Sequence, residues 1–448
     1  MIQIKAVGGY GEVGRNMTAI RVDDDVVLID MGLHLPNYIK ITEAEEREDI
    51  AKIDTETLRK GNAIPDDCCL DDWRPLVRAI VPTHAHLDHL GAVPYLAGHY
   101  KAPIYCTPFT AAVLRNILQD EKMKLPNRVV TMKGGARVRL SKTLEMEFIS
   151  MPHSTPQTVI VALHTKEGII LYATDWKLDN NPVIGDKPDY NALRRIGQKG
   201  VLVTFLDGLY ANEHAKTPSE SVVRELLKDT LLGIDNRGKA IIVTTFASQI
   251  ARLKSIMDWG RSLNRKVLFL GRSVAKYSYA AEEVGLVNFS KQVKIVKYGA
   301  QARKELARVA KEGKHKYVLV VSGNQGEPQS MLVKIARKQV AFPLGPDDQV
   351  VFSCKVIPTE PNMSNRRALE DDLKAAGVRI FTDIHASGHP MREDLREFLR
   401  MVKPKHIIPM HCEHEKEDAL LTLAVEMGYD PSHVHTLRDG QTLDLHKC

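Results

Sequence analysis

The chain is expected to adopt an α/β fold of two to three domains, and two features of its sequence support that expectation. Short apolar runs alternate with helical stretches along most of its 448 residues. Such alternation is typical of a largely parallel, doubly wound sheet. The length also exceeds that of one ordinary hydrophobic core and indicates two to three domains. No Pro- or Ser-rich linker separates the two α/β regions, which suggests that one region is inserted into the other.

The individual elements follow from the same patterns. Residues 17–22 and 26–29 are apolar runs around Asp23-Asp24-Asp25, a turn signal that predicts paired strands. The acid-rich stretch from about Glu43 to Asp72 is expected to be a surface insertion, partly helical. Further strands are predicted at 78–81, 147–149, 168–172, 240–243, 267–270, 317–321 and 349–352. Helices are predicted at 219–231, 249–263 and 301–312.

The composition excludes several classes of protein. The apolar fraction of 44% is ordinary for a globular chain. No apolar window is long enough to predict a transmembrane helix, and no secretory signal is recognisable, so we expect a cytoplasmic protein. Six cysteines without a CxxC pair predict neither a disulfide framework nor a cysteine-rich zinc site. The net charge of +6 is compatible with a polyanionic partner.

The strongest chemical signal is the segment Thr83–His89, which follows an apolar strand. It places three imidazoles and one carboxylate close together in the sequence. Neutral imidazole nitrogens and carboxylate oxygens are ligands that suit zinc. A loop at a strand end can direct alternate side chains at two neighbouring ions. His84 and His86 can then serve one metal, and Asp88 and His89 can serve the other.

One loop cannot complete two metal sites, so further ligands are expected after other strands. That edge is where α/β folds build their sites. The candidates are Asp30, His153, Asp175 and His411. A hydrolytic site also needs a proton donor near the leaving oxygen. Asp207 and His389 are the candidates, because a carboxylate paired with an imidazole holds that imidazole protonated and oriented.

These residues, in this order along the chain, resemble the successive signature motifs of the metallo-β-lactamase superfamily. The resemblance implies an αββα sandwich that holds a pair of zinc ions. The implied ligands of one zinc are His84, His86 and His153. Those of the other are Asp88, His89 and His411. Asp175 would bridge both ions, and Asp30 would orient ligands from behind.

The region 208–366 resembles a β-CASP domain, the insert that marks the nucleic-acid-processing members of this superfamily. Asp207, His389 and His411 fall where that branch places its three additional motifs. The similarity to the ribonuclease J family is closer still. It runs in order through residues 8–17, 245–248, 271–273, 322–328, 356–358 and 385–389. The implied domain limits are 1–207 and 367–448 for the metallo-β-lactamase domain and 208–366 for the insert.

The Gly- and Ser-rich segments suit phosphate handling, because small residues let backbone N–H groups approach phosphate oxygens. The resemblance implies that His385 and Ser387 grip a phosphate beside the scissile one. It also implies that the 322–328 loop, with Arg272 and Ser273, lines a pocket for a 5′ monophosphate. The residues expected to contact RNA or its 5′ phosphate are Ser248, Arg272, Ser273, Ser322, Gly323, Gln325, Glu327, His385, Ser387 and Gly388.

The resemblance therefore implies a zinc-dependent 5′→3′ exoribonuclease that acts on single-stranded RNA with 5′-monophosphate ends, in RNA decay and maturation. Two Zn²⁺ are expected per chain, and Mn²⁺ or Mg²⁺ could support activity. A narrow cleft between the domains would exclude duplexes. Bacterial members usually carry a further C-terminal domain, whereas only residues 415–448 follow the last ligand motif here. That length and the acid-rich insertion resemble the shorter archaeal members, and a homodimer through the core domains is expected.

Other functions stay open. An endonuclease of the RNA 3′-end-processing branch is one, although its archaeal relatives usually carry N-terminal KH domains that this chain lacks. A nuclease that also cuts single-stranded DNA is another. The long insert argues against a hydrolase of small thioesters or lactams, which needs no such lid. The intact ligand positions, with Asp207 and His389, argue against a non-enzymatic RNA-binding scaffold.

Overall fold

The computed structural model describes residues 1–44 and 53–445, and the chain divides into two compact units. The first unit contains Met1–Asn180, Asp186–Thr217 and Gly388–Cys448. The second contains Asn181–Gly185 and Pro218–Ser387. Part of the expected acid-rich insertion, residues 45–52, lies outside the described residues, as does the last cysteine. Within the described part, no helix is long and apolar enough to cross a bilayer.

The first unit contains two mixed sheets. The strands of the first sheet are β1 (Ile2–Gly8), β2 (Met17–Val22), β3 (Asp25–Ile29), β4 (Val77–Val81), β5 (Ile104–Cys106), β6 (Val129–Thr131) and β19 (Thr442–Asp444). Their order is β19-β1-β2-β3-β4-β5-β6. Pairing is antiparallel from β19 to β3 and parallel from β3 to β6.

The strands of the second sheet are β7 (Arg137–Arg139), β8 (Glu145–Ser150), β9 (Val159–His164), β10 (Ile169–Ala173), β11 (Val201–Asp207) and β18 (His406–Met410). Their order is β18-β11-β10-β9-β8-β7. Among the described strands of this sheet, the pairs β18–β11 and β11–β10 are parallel and the other pairs are antiparallel. The α/β class is confirmed, but the parallel arrangement covers only part of each sheet in this unit, because hairpins such as β2–β3 and β8–β9 join antiparallel neighbours.

The helices of the first unit are α1 (Leu35–Ala44), α2 (Thr55–Lys60), α3 (Leu87–Leu90), α4 (Val93–Leu96), α5 (Pro108–Asp120), α6 (Tyr190–Lys199), α13 (Arg392–Val402) and α14 (His414–Glu426). Successive strand residues face opposite sides of a sheet. Val161 of β9 accordingly shares one core with Ile4 and Val27 of the first sheet. Its neighbour Ile160 packs in a second core with Leu193 of α6. The two sheets therefore lie face to face, with helices behind the second.

The second unit is a parallel sheet between helices. Its strands are β12 (Ile241–Thr244), β13 (Lys266–Leu270), β14 (Lys294–Val296), β15 (Tyr317–Val321), β16 (Gln349–Phe352) and β17 (Arg379–Phe381). Their order is β14-β13-β15-β12-β16-β17, and every pair is parallel. The helices are α7 (Glu220–Leu232), α8 (Ile250–Ser262), α9 (Arg272–Glu283), α10 (Gly299–Glu312), α11 (Met331–Ala336) and α12 (Glu360–Ala375).

The limits of the second unit differ from the expected 208–366. At its end, β17 pairs with β16, so the unit continues to Ser387. At its start, Thr217 belongs to the first unit, because its N–H donates to Asp394 at 2.7 Å and its hydroxyl donates to the carbonyl of His389 at 2.7 Å. The pairing of β17 with β16 and the hydrogen bonds of Thr217 therefore account for both limits.

Candidate metal centre

The candidate ligands of the first unit stand where strands end. Asp30 follows β3, Asp175 follows β10 by two residues and His411 follows β18. Each of these three has a left-handed backbone, with φ of 61°, 52° and 57° respectively. That conformation is unfavourable for a residue with a side chain and persists where the surroundings impose it. Here it turns the chain sharply off each strand.

The first ligand group comprises His84, His86, His153 and Asp175. Nε2 of His84 and Nε2 of His153 each lie 3.1 Å from Nδ1 of His86. Both Nε2 atoms lie 3.6 Å from Oδ2 of Asp175. The four ligand atoms fall within 4.8 Å of one another. Three imidazoles and a carboxylate that converge in this way match the donor set of a divalent transition-metal site.

The second ligand group comprises Asp88, His89 and His411. Nε2 of His89 lies 3.7 Å from Oδ2 of Asp88, and Nε2 of His411 lies 3.9 Å from the same oxygen. Asp175 is close to this group as well, with Oδ1 at 3.2 Å from His89 Nε2 and Oδ2 at 3.9 Å from His411 Nε2. The Asp175 carboxylate thus lies between the two groups.

Partners on the outer side orient several of the imidazoles. Nδ1 of His153 donates to the carbonyl of Gly388 at 2.7 Å. Nδ1 of His89 donates to Oδ2 of Asp30 at 2.8 Å. Nδ1 of His84 lies 3.0 Å from the hydroxyl of Thr83, which in turn donates to Asp30. Each contact engages Nδ1 and directs Nε2 into the centre, as a metal-ligating histidine requires.

The charge states of the first group favour a cation. Burial lowers the pKa of His84 and of His153 well below the usual histidine value and lowers the pKa of His86 to about 4. Burial would raise the pKa of Asp175, but His411, His89 and His389 outweigh it and hold that pKa well below its ordinary value. Neutral imidazoles and an ionised carboxylate are the protonation states that bind metals.

Asp175 gives a direct test of whether a metal ion fits. Its side chain is 1% exposed, and both oxygens are buried without a hydrogen bond that meets the usual geometry. A buried, unsatisfied carboxylate is costly unless a cation or donor completes it. Burial would lower the pKa of His89, but Asp175, Asp30 and Asp88 raise it well above the usual value. Acids that hold a proton so firmly would equally hold a divalent cation.

Asp207 and His389 form a pair beside the centre. Asp207 is the last residue of β11, and its Oδ2 lies 2.8 Å from Nδ1 of His389. The ring of His389 stacks on that of His411 with a centroid distance of 5.4 Å. Burial would lower the pKa of His389, but Asp207 and Asp175 raise it to about 9. The structure therefore brings both expected proton-transfer residues next to the ligand groups.

In the second unit, the expected RNA contacts gather at the carboxyl edge of the parallel sheet. Ser248 follows β12, Arg272 and Ser273 begin α9 directly after β13, and Ser322 follows β15. The Gly271 Cα lies close to Ser322, since a Cβ added there would be 3.9 Å from its side chain. The 385–387 segment starts at this edge too, because the carbonyl of Ile384 accepts a hydrogen bond from Ser353, which follows β16, at 2.9 Å. This is the edge where parallel α/β sheets bind ligands.

Some expected contacts have other partners in the structure. The amide of Gln325 is 5% exposed, donates to the carbonyl of Lys355 at 3.1 Å and accepts from the N–H of Ile357 at 2.8 Å. Glu327 accepts from the N–H of Gln325, and Gly323, with φ of 120°, packs against Ser330. These contacts brace the 322–328 loop itself.

Gly388, expected to contact RNA, lies in the first unit against His153. A Cβ at this position would be 2.7 Å from both Cε1 and Nδ1 of the imidazole. Its carbonyl holds that same ring. The role that this geometry indicates is support of a candidate ligand.

Sequence reasoning assigned no role to Asn16. Its side chain is fully buried and lies within hydrogen-bond distance of His89, His411 and the carbonyl of Asp88. The available signal was an amide side chain within a glycine-rich segment that no strand or helix pattern explains. That signal alone does not reveal the partners, which are up to 395 positions away.

Comparison with known families agrees with the fold and the centre. The profile "Beta-lactamase superfamily domain" matches residues 65–216, and "Ribonuclease J, beta-CASP domain" matches residues 238–368. The profile "Zn-dependent metallo-hydrolase RNA specificity domain" matches residues 377–436. The fold, the ligand clusters and these matches define a metal-dependent nuclease of the metallo-β-lactamase superfamily with a β-CASP domain.

Relatives specify the family. The chain is 40% identical over 450 residues to "Ribonuclease J" of Methanocaldococcus jannaschii, with 100% of this chain and 99% of the relative covered. It is 39% identical to "Ribonuclease J" of Pyrococcus abyssi, with 99% and 97% covered. The chain belongs to the ribonuclease J family. A solved structure of an Enterococcus faecalis protein of unknown function is similar in fold alone, with a TM-score of 0.62, 13% identity and 99% of each chain covered.

Proposed function

We propose that this chain is a zinc-dependent 5′→3′ exoribonuclease that degrades single-stranded RNA from 5′-monophosphate ends, with two zinc ions per chain. The observation that carries the proposal is the position of Asp175 between two groups of ligands. A carboxylate within reach of both groups suits a dinuclear site, and two-metal sites are common among phosphodiesterases. The imidazole-rich donor set favours zinc over magnesium.

The bound ions would activate water and neutralise charge on the phosphoryl oxygens. The side chains and backbone of the protein orient the ligands and supply the proton. Asp30 fixes the ring of His89, and Gly388 fixes the ring of His153. His389, held as the imidazolium by Asp207, is the general acid that protonates the leaving oxygen. The Asp175 side chain is 1% exposed, and a buried environment strengthens these electrostatic effects.

The preference for a 5′ monophosphate is proposed to reside at the carboxyl edge of the second unit. Exposed Arg272 offers a planar guanidinium at the first position of α9, and Ser273 follows it. Arginine forms paired hydrogen bonds with phosphate, and a helix N-terminus adds partial positive charge. Ser248 and Ser322 supply hydroxyls from neighbouring strand ends. We propose that His385 and Ser387 contact a phosphate of the RNA backbone.

The deciding experiment uses one single-stranded RNA labelled separately at each end, with either a 5′ monophosphate or a 5′ hydroxyl. We expect labelled mononucleotide to appear first from the 5′ end, and faster from the monophosphate. Internal fragments that appear first, regardless of the 5′ group, would instead establish the endonuclease alternative. A DNA strand of the same sequence tests single-stranded DNA as a second substrate.

The ligand assignment has its own test. His84→Ala removes a ligand of the first group, so cleavage should be abolished while RNA binding stays measurable. His214→Ala, at an exposed histidine of the same unit, is the control and should cleave normally. Metal-free protein reloaded with Zn²⁺, Mn²⁺ or Mg²⁺ identifies the supporting ion. Full activity of the His84 variant would remove the basis of the assignment.

Two further parts of the proposal concern the state of the protein in the cell. We propose a homodimer and a cytoplasmic location, in keeping with the expected substrate. Sedimentation of the purified protein measures the oligomeric state, and cell fractionation tests the cytoplasmic location. A monomer at micromolar concentration would contradict the dimer.

A further inference from the structure

We propose that Asn16 is the positioning residue of the second ligand group and that it controls the affinity of the second metal without affecting the first. This inference rests on the proposed dinuclear site. Asn16 lies in the segment 8–17, whose glycines the catalytic scheme above does not explain.

Asn16 contacts every member of the second group. Its Nδ2 donates to the backbone carbonyl of Asp88 at 3.0 Å and lies 3.1 Å from Nε2 of His89. Its Oδ1 lies 3.2 Å from Nδ1 of His411, and its Nδ2 lies 3.0 Å from the same atom. The main chain reinforces this position, because the N–H of Asn16 also donates to the carbonyl of Asp88 at 3.1 Å. One amide side chain thus joins three residues from distant parts of the sequence.

The chemistry of His411 decides which of its two contacts with Asn16 is used. Nε2 of His411 is the atom that faces Asp88 and Asp175. A cation on Nε2 requires that the proton of the neutral ring sits on Nδ1. Oδ1 of Asn16 is then the acceptor of that proton, while Nδ2 keeps its hydrogen bond to Asp88. Asn16 therefore selects the tautomer of His411 that can bind a metal.

The glycines around Asn16 permit this approach. A Cβ on Gly9 would lie 2.4 Å from Oδ1 of Asn16. A Cβ on Gly32 would lie 1.6 Å from the carbonyl oxygen of Asp88 and 2.9 Å from the N of Asn16. Gly9 also accepts the backbone hydrogen bond of His411 at 3.1 Å. Bulkier residues would push Asn16 away from the ligands, so the glycine-rich segment is explained as a cradle for this amide.

The first ligand group is oriented by other residues. Thr83 holds His84, and Gly388 holds His153. Because the Asn16 side chain makes its hydrogen-bond contacts with the second group, loss of its amide should act on the second metal alone. Asp30, by contrast, reaches both groups, through His89 and through Thr83.

The test is zinc titration of metal-free full-length protein by calorimetry. Asn16→Leu keeps the approximate size but removes both amide functions. We expect its second zinc to bind about 10- to 100-fold more weakly, the usual effect of losing an outer partner of a ligand, with the first zinc unchanged. Asn127→Ala is the matched control: it removes another amide of the first unit, one that donates to the carbonyls of Tyr100 and Ala102. Its two zinc affinities should equal those of the unmodified protein.

A second variant distinguishes the positioning of His411 by residue 16 from a general loss of structure. Asn16→Asp keeps an oxygen that can accept the Nδ1 proton of His411. Nitrogen NMR of labelled histidines should therefore show the Nδ1–H form of His411 in the metal-free Asn16→Asp protein. That variant should also bind its second zinc more tightly than Asn16→Leu does.

The outcomes are distinguishable. Equal weakening of both zinc steps in Asn16→Leu, or an unchanged second step, overturns the role of Asn16. An Asn16→Asp protein that loses the Nδ1–H form of His411 overturns it as well, even if Asn16→Leu fails to fold. A single zinc step in the unmodified protein would instead overturn the dinuclear site on which the inference rests.

Discussion

At the scale of single residues, the centre depends on how the outer nitrogen of each imidazole is held. A hydroxyl holds His84, a carboxylate holds His89 and a backbone carbonyl holds His153. Each acceptor fixes one tautomer and one ring orientation, and loss of a partner of this kind typically weakens metal binding by about 10- to 100-fold. Substitutions behind the ligands should therefore change metal binding without removing any ligand.

Gly388→Ala tests this at the first group. The new methyl group would lie 2.7 Å from the ring of His153, so the imidazole must move. We expect zinc affinity to fall by about 10-fold or more. Zinc titration measures it, and Gly98→Ala, where an added Cβ comes no closer than 3.6 Å to its surroundings, is the control. Unchanged zinc binding with weaker RNA binding would instead support the expected contact of Gly388 with RNA.

Asp207 and His389 should act together as one proton-donating pair. Asp207→Asn removes the charge that holds the imidazolium, and His389→Ala removes the acid itself. Each should slow cleavage by about 10²- to 10⁴-fold, and the double variant should be no slower than His389→Ala. Single-turnover cleavage with full zinc occupancy measures the rates. Multiplicative losses in the double variant would show that the two residues act independently.

At the scale of elements, the strand ends determine where the ligands stand. β18 is an example: His406 begins it, and His411 follows its last residue. His406 is 7% exposed, and its Nδ1 lies 3.0 Å from Nε2 of His435. Burial, with the nearby His435 and His433, lowers the pKa of His406 to about 4. The strand that presents His411 is thus anchored by a neutral histidine.

A pH dependence of stability follows for β18. The folded pKa of His406 lies below the ordinary value of 6.5, so the unfolded chain binds more protons between these two values. The stabilisation is complete above the unfolded pKa and is lost as the pH falls towards 4, by about 3 kcal/mol at most. Urea unfolding across this range should show a flatter pH dependence for His406→Gln than for the unmodified protein. Parallel pH curves would contradict the prediction.

At the scale of the whole molecule, the two units carry different candidate residues. All candidate metal ligands belong to the first unit, and most of the expected RNA contacts belong to the second. A metal that binds only folded protein stabilises the structure that contains its ligands, by about 2.7 kcal/mol when the free metal exceeds its Kd 100-fold. Metal removal should therefore affect the units unequally.

Hydrogen exchange before and after chelation measures this difference. Without metal, amide protection should fall in the first unit at the segments that carry Asp30, His84, Asp175 and His411. Protection of the parallel sheet of the second unit, such as β12 and β15, should stay unchanged. Equal loss of protection in both units would show that the metal stabilises the chain as a whole.

Short-range patterns in the amino-acid sequence predict much of this architecture. Three features could be predicted from the sequence because each depends on neighbours a few positions apart. They are the alternation of helices and strands in the second unit, the paired strands at the start of the chain and the ligand motif between His84 and His89. The sequence also indicated Asp30, Asp175 and His411 as candidate site residues, since each follows an apolar strand. The expected pair of Asp207 and His389 was likewise recoverable, from residue chemistry and family resemblance together.

Contacts between distant segments were decided only when the chain packed. Asn16 meets His411 across 395 positions, and His153 meets Gly388 across 235. Gln325 turns inward to the main chain of residues 355 and 357, and β17 pairs with β16 and extends the second unit. Hydrophobic periodicity specifies which face of an element is buried, but not which distant side chain will complete a buried polar group. That choice depends on sheet order and on the left-handed turns after the strands, which exist only in the folded protein.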